Sequence, residues 1–153
     1  MNEDTLLSQE MSIRDLLDTY REYIAKFKNI IFWGTGDNAK MILDYLAGVL
    51  ADVEKKNVSF IDKDPAKFGG GGTVYVEYPC YAPSWLKSAR RENTVIVIAT
   101  SKYMDEVYEE IEGLYKGWGI EPYPPIIRRF VDFVDIWYVH RKNLLLKVLP
   151  ATE

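Results

Sequence analysis

Two glycines set between an apolar run and an amphipathic pattern constrain this chain more than any other feature. Asn29-Ile30-Ile31-Phe32-Trp33 is short and almost wholly apolar, as a strand buried on both faces of a sheet must be. Gly34-Thr35-Gly36 interrupts it, and Ala39, Ile42, Leu43, Leu46, Val49 and Leu50 then recur at helical spacing, predicting one helix. Residues 58–61 predict a second strand, stopped by Asp62-Lys63-Asp64-Pro65. Residues 94–99, Thr-Val-Ile-Val-Ile-Ala, carry the strongest strand signal, a β-branched run suited to a central parallel strand. Ser101 is placed to cap a further helix with Met104, Val107, Ile111 and Leu114 on its inner face, ended by Gly117-Trp118-Gly119. Strand and helix alternate, which builds parallel βαβ units joined by right-handed crossovers. The expected fold is α/β: a three-layer Rossmann-like domain with a mostly parallel sheet of about five strands.

The flanks read less clearly. Residues 1–11 show no period and are expected to fray. Ser12 is a candidate N-cap, with Asp15 three positions on, for a helix over 13–27 whose apolar face runs from Ile13 through Tyr20 to Phe27. Four glycines, Gly69 to Gly72, predict a mobile loop. Residues 73–76 read as a short extended piece. Pro79 and Pro83 bracket Cys80, and a helix is expected from Pro83 or Ser84 to about Arg91. With 153 residues the chain suits one domain, able to bury roughly 68–70% of its unfolded surface. Its parts are an N-terminal helix region (1–28), a core (29–125) and a closing or interface segment (126–153). Residues 144–149 read as strand or helix, with strand slightly preferred.

The junction Gly34-Thr35-Gly36-Asp37-Asn38-Ala39 is G-x-G-x-x-A between strand and helix. The first glycine permits the tight turn, the second lets a phosphate approach bare backbone, and Ala39 allows close helix–strand packing. Unpaired N–H groups and the macrodipole at the helix start favour an anion there. Asp37 in that turn would repel a diphosphate unless its side chain turns away as the helix cap, which is the expected arrangement. The second strand ends in Asp62, 26 positions beyond Gly36, where an acid accepts hydrogen bonds from ribose hydroxyls. In the plainer reading the glycines only make a turn and Asp62 only ends a strand. Lys63 could attract a 2′-phosphate, but Asp62 beside it would repel one, so an unphosphorylated ribose, as in NAD or a UDP-sugar, is preferred over NADP.

These strings, with Phe60-Ile61-Asp62-Lys63-Asp64-Pro65-Ala66-Lys67-Phe68-Gly69, Tyr78-Pro79-Cys80-Tyr81-Ala82-Pro83-Ser84-Trp85-Leu86 and Val95-Ile96-Val97-Ile98-Ala99-Thr100-Ser101-Lys102-Tyr103, resemble small Rossmann-type domains of sugar-modifying proteins. Among these is the nucleotide-sugar-binding N-terminal domain of bacterial sugar acyltransferases of the PglD type. Related domains accompany glycosyltransferases and methyltransferases of polysaccharide synthesis. The resemblance covers about residues 29–120. It implies that Gly34, Thr35, Gly36 and Asn38 line a phosphate and that Asp62 and Lys63 meet the ribose or base. Thr100, Ser101 and Tyr103 would form the opposite wall. Ala39 stands where these domains more usually have glycine, and the chain lacks the left-handed β-helix repeats of an acyltransferase catalytic domain.

Composition excludes several chemistries. One cysteine, Cys80, and one histidine, His140, rule out a disulfide framework, a cysteine cluster and a His-based metal centre. A formal charge of −4 argues against a nucleic-acid binder. No uncharged apolar run reaches about 18 residues, and the acidic start is the reverse of a signal peptide, so a cytoplasmic location with no transmembrane segment is expected. Tyr138-x-x-x-Lys142 matches a dehydrogenase dyad without the serine or the room that dyad needs. Cys80 reads as a small buried hydrophobe, and His140, Arg90-Arg91 and Arg128-Arg129 as surface groups, the last pair with a pyrophosphate clamp as its alternative. Residues 126–149 read as a core helix closing the sheet, as an interface to a second copy or a partner domain, or as a membrane-surface element. The functional expectation is a nucleotide-containing ligand, a nucleotide sugar or NAD, held by a binding or regulatory module or by part of a larger sugar-modifying enzyme. Two alternatives stand beside it: a small NAD-dependent sugar-modifying enzyme acting as an oligomer, and a protein-interaction domain whose nucleotide site is empty.

Overall fold

Successive side chains of a strand point to opposite faces of its sheet, so a strand buried at every position needs cover on both sides. Strand β5 (Thr94–Ile98) is buried throughout, and β1 (Asn29–Trp33) at every residue but its first. The computed structural model describes residues 1–50, 56–64, 73–74 and 78–139. In it, β1 lies between β2 (Asn57–Ile61) and β5, parallel to both. Outside β2 comes β4 (Tyr78–Tyr81), outside β5 comes β6 (Ile126–Ile127), and both are parallel to their neighbours. Two residues of β3 (Thr73–Val74) add an antiparallel edge on β4. The order is β3-β4-β2-β1-β5-β6. Five parallel strands thus run as a Rossmann sheet does, third, second, first, fourth, fifth, and the direction of winding reverses between β1 and β5.

Helices cover the two faces. They are α1 (Glu3–Leu7), α2 (Ile13–Ala25), α3 (Asp37–Tyr45), α4 (Ala47–Leu50), α5 (Met104–Gly117) and α6, residues 130–139. Ser12 caps α2 as expected, its Oγ accepting from the Asp15 N–H at 3.1 Å. One core takes in Tyr20 and Ile24 of α2, Ile42 of α3, Ile111 and Tyr115 of α5, and Phe130, Val131 and Val134 of α6. The three-layer α/β expectation therefore holds, and α6 contributes Phe130, Val131 and Val134 to the core. None of the described helices is long and apolar enough to cross a membrane.

Several local expectations need correction. The N-terminal residues do not fray: Asn2 caps α1 by accepting from the Asp4 and Thr5 N–H groups, and Leu6 is buried. The Glu3 carboxylate accepts from the Arg128 N–H (2.8 Å), the Arg129 N–H (3.0 Å) and the Tyr20 hydroxyl (2.8 Å). It holds the two residues that lead into α6, and so ties the two ends of the described chain together. The helix expected to run on to Leu50 breaks after Tyr45, because Leu46 leaves helical geometry (φ −89°, ψ 8°). Residues 83–91 do not form an α-helix; Pro83–Lys87 is a 3₁₀ segment. Tyr78–Tyr81 is a strand despite Pro79, since Cys80 and Tyr81 pair with Phe60 and Ile61 while Pro79 sits opposite Thr73. The glycine run 69–72, residues 75–76, His140, Lys142 and the 144–149 strand lie outside the described residues.

Candidate functional site

Register brings the candidate residues together. Trp33 pairs with Ile61 on one side and Ile98 on the other, so β1, β2 and β5 end flush. Backbone bonds carry the alignment one residue further: Gly34 N–H to Ile61 O (2.9 Å), Ala99 N–H to Trp33 O (2.8 Å) and Asp62 N–H to Tyr81 O (3.1 Å). Gly34, Asp62 and Ala99 therefore lie along one carboxyl edge, at the place where the winding reverses. A crevice of about 700 Å³ opens there. That volume lies in the usual range for small-molecule sites, and the position is where open α/β sheets bind ligands.

The two glycines do different work. Gly34 adopts φ +113°, which side chains rarely tolerate, so the turn itself demands glycine. Gly36 is ordinary extended backbone (φ −82°, ψ −162°), and a Cβ built on it meets no described atom within 4 Å. Neither conformation nor packing among the described residues requires glycine at 36. Gly36 is also the N-cap of α3 and offers no side-chain acceptor to the first turn.

Side chains lace the walls. Thr35, nearly buried, donates from Oγ1 to Asp62 Oδ2 at 2.6 Å, and the Asp64 N–H donates to Asp62 Oδ1 at 2.8 Å. The turn after β1 and the end of β2 are thereby tied. Asn38 donates from Nδ2 to Ser101 Oγ at 3.0 Å, joining the first turn of α3 to the loop after β5. Lys63 pairs with Glu110 of α5, an ion pair from the end of β2 to the helix that follows β5. Ion pairs of exposed lysines are worth little on their own, but this one uses the ammonium that could otherwise meet a ligand anion.

Eight of the nine residues singled out from sequence line the crevice: Gly34, Thr35, Gly36, Asn38, Asp62, Lys63, Thr100 and Tyr103. Ser101 is not on the lining. It acts through Asn38, and it does not cap α5, which starts at Met104 with Tyr103 as its N-cap and no side-chain bond. Asp37 is not the cap of α3 either: Gly36 holds that position, and Asp37 is the first helical residue, on the crevice lining. Sequence reading missed Glu106 and Glu110. They lie three and seven positions beyond Tyr103, the spacing that keeps side chains on one helix face, so the assignment of Tyr103 to the wall could have found both. Arg128 is away from the lining. Its guanidinium meets Asp4 (3.8 Å), Asp105 (3.4 Å) and the Tyr108 ring (4.7 Å to the centroid), and Nε has no hydrogen-bond partner. The pyrophosphate-clamp alternative is therefore not supported for this residue.

The described lining holds four carboxylates, Asp37, Asp62, Glu106 and Glu110, against one ammonium. Among the described residues no group of three or more His, Cys, Asp or Glu side chains is arranged to hold a metal ion. Fold and crevice together define a Rossmann-like α/β domain with a crevice at its topological switch point. No protein-family model, curated protein or solved structure matches the chain.

Proposed function

We propose that this chain binds a nucleotide-containing small molecule in the switch-point crevice. In this reading the Gly34–Gly36 turn and the start of α3 receive phosphate, Asp62 receives ribose hydroxyls, and Thr100 and Tyr103 form the far wall. The observation that carries it is Gly36, a glycine at a helix start on the crevice lining where a Cβ would meet no described atom within 4 Å. The Thr35 and Asp64 bonds orient Asp62, and each of its oxygens keeps a lone pair for a ribose hydroxyl. The ligand classes are a nucleotide sugar and NAD, the former supported by the resemblance of residues 29–120 to sugar-modifying proteins. The chain then acts as a binding or regulatory module, or as part of a larger enzyme.

A panel of UDP-glucose, GDP-mannose, NAD and NADP in a thermal-shift assay tests this. A ligand at 100 times its Kd stabilises by about 2.7 kcal/mol, a shift of roughly 5–11 °C for a chain of this size. Stabilisation by at least one of them supports the reading, and failure of all four contradicts it. A second reading, an interface to another copy or a partner domain, is supported by Ile136 and Val139, exposed by 48% and 52% on the apolar helix α6. Light scattering that reports a monomer at all concentrations would remove self-association through α6.

A further inference from the structure

The charge of the crevice sorts the ligands that its shape admits. A diphosphate brings about two negative charges to a lining whose only described cation, Lys63, is already paired with Glu110. The first turn of α3 offers roughly half a positive charge, and Asp37, its first residue, opposes an incoming anion. Asp62 is engaged by Thr35 and Asp64. Glu106 is different: it is exposed, it lies on the α5 wall of the crevice, and among the described residues its carboxylate makes no ion pair or hydrogen bond. Tyr103, one turn earlier on the same lining, is 53% exposed; Lys102 Nζ already lies over its ring, 5.3 Å from the centroid, so it is Glu106 and not this ring that stands uncompensated on the α5 wall.

We propose that the crevice is selective for nucleoside-containing ligands that carry a cationic group beyond the ribose, and that Glu106 is the specificity-determining residue. This rests on the nucleotide reading and narrows it. NAD, whose oxidised nicotinamide is a pyridinium, is favoured over a nucleotide sugar with the same two phosphates. A nucleoside sulfonium without phosphates satisfies the same chemistry. The order of affinity follows ligand charge because every candidate shares the ribose contact and differs in what faces the α5 wall.

Matched ligands isolate the charge. Oxidised and reduced NAD differ by one charge on one ring, and ADP-ribose lacks that ring. S-adenosylmethionine and S-adenosylhomocysteine differ in the same way at sulfur, so the two pairs distinguish a pyridinium from a sulfonium. In calorimetric titrations the member of at least one pair that carries the cationic ring or sulfur should bind about fivefold or more tightly than its partner without it. Glu106→Gln should bring that ratio close to one while tightening ADP-ribose and UDP-glucose. The variant's melting temperature reports that the fold is kept. Partners without the cationic group binding as tightly as those with it, or a ratio unchanged in Glu106→Gln, overturns the proposal while leaving nucleotide binding in place. A parent protein that binds none of these ligands overturns the nucleotide reading itself, and this inference with it.

Discussion

Glu3 tests how the two ends of the described chain are held together. Replacing it with alanine removes three hydrogen bonds to one carboxylate, two from the Arg128 and Arg129 N–H groups and one from the Tyr20 hydroxyl. A bond to a charged group is worth about 1.5–3 kcal/mol, but Glu3 is half-buried and the freed N–H groups can reach water. The net loss should therefore be about 3 kcal/mol, well below the sum of three such bonds. For a chain of this size that lowers the melting temperature by about 6–12 °C. Glu3→Gln keeps one acceptor oxygen but presents an NH₂ where the second accepted, so it should fall between the parent and Glu3→Ala. Tyr20→Phe removes one bond and should cost least. Circular dichroism melts of the three variants under one buffer give the order. A Glu3→Ala protein melting within about 2 °C of the parent would refute the argument, because the carboxylate would then not be holding α6.

Other outcomes follow from the same geometry. Gly34→Ala should destabilise by about 1–3 kcal/mol because φ +113° strains any side-chain residue, while Gly36→Ala should cost only the poorer N-cap, about 0.5–1 kcal/mol; a Gly36→Ala effect larger than that of Gly34→Ala in denaturant titrations would contradict the different roles given to the two glycines. Asp62→Ala should weaken a ribose-containing ligand by about 1.5–3 kcal/mol, and an unchanged Kd would remove Asp62 from the site. Burial pushes the Tyr115 hydroxyl up to about 12 from the usual 10.0, and burial followed by Glu3 pushes Tyr20 up as well. The folded state thus holds these protons more tightly than the unfolded chain. The stability that Tyr115 contributes is complete below about pH 10 and is lost as pH rises from there through about 12. Melting curves followed by tyrosinate absorbance should show that decline, and a constant melting temperature across the interval would contradict it.

What the sequence made legible is what local pattern can carry. Thr94–Ile98 and Asn29–Trp33 announce themselves as parallel strands because burial on both faces forces unbroken apolar runs. The glycine turn is legible because a strand, two glycines and a helix stand in order. Residues whose structure depends on distant partners were not. Pro79 hides β4, since a proline cannot donate to a ladder and the pairing of Cys80 with Phe60 is non-local. Glu3 hides α1, because the donors it accepts from lie 125 and 126 positions away. Leu46 continues the helical spacing of its neighbours, so nothing in periodicity marks the break after Tyr45. In the site, Asp37 looked like the cap because polar side chains usually fill that role, yet Gly36, already extended, takes it one residue earlier. The acidity of the α5 wall stayed hidden until Glu106 and Glu110 could be set against Asp37 and Asp62 across the crevice.

The most direct test compares nucleotide binding by the parent and by Gly36→Val in calorimetric titrations with NAD and UDP-glucose. Saturable binding of at least one of them by the parent, weakened about tenfold or more in a variant that still melts cooperatively within a few degrees of the parent, is the expected result. Equal affinity in the two proteins would mean that no ligand comes close to residue 36, and would contradict the role given to the turn.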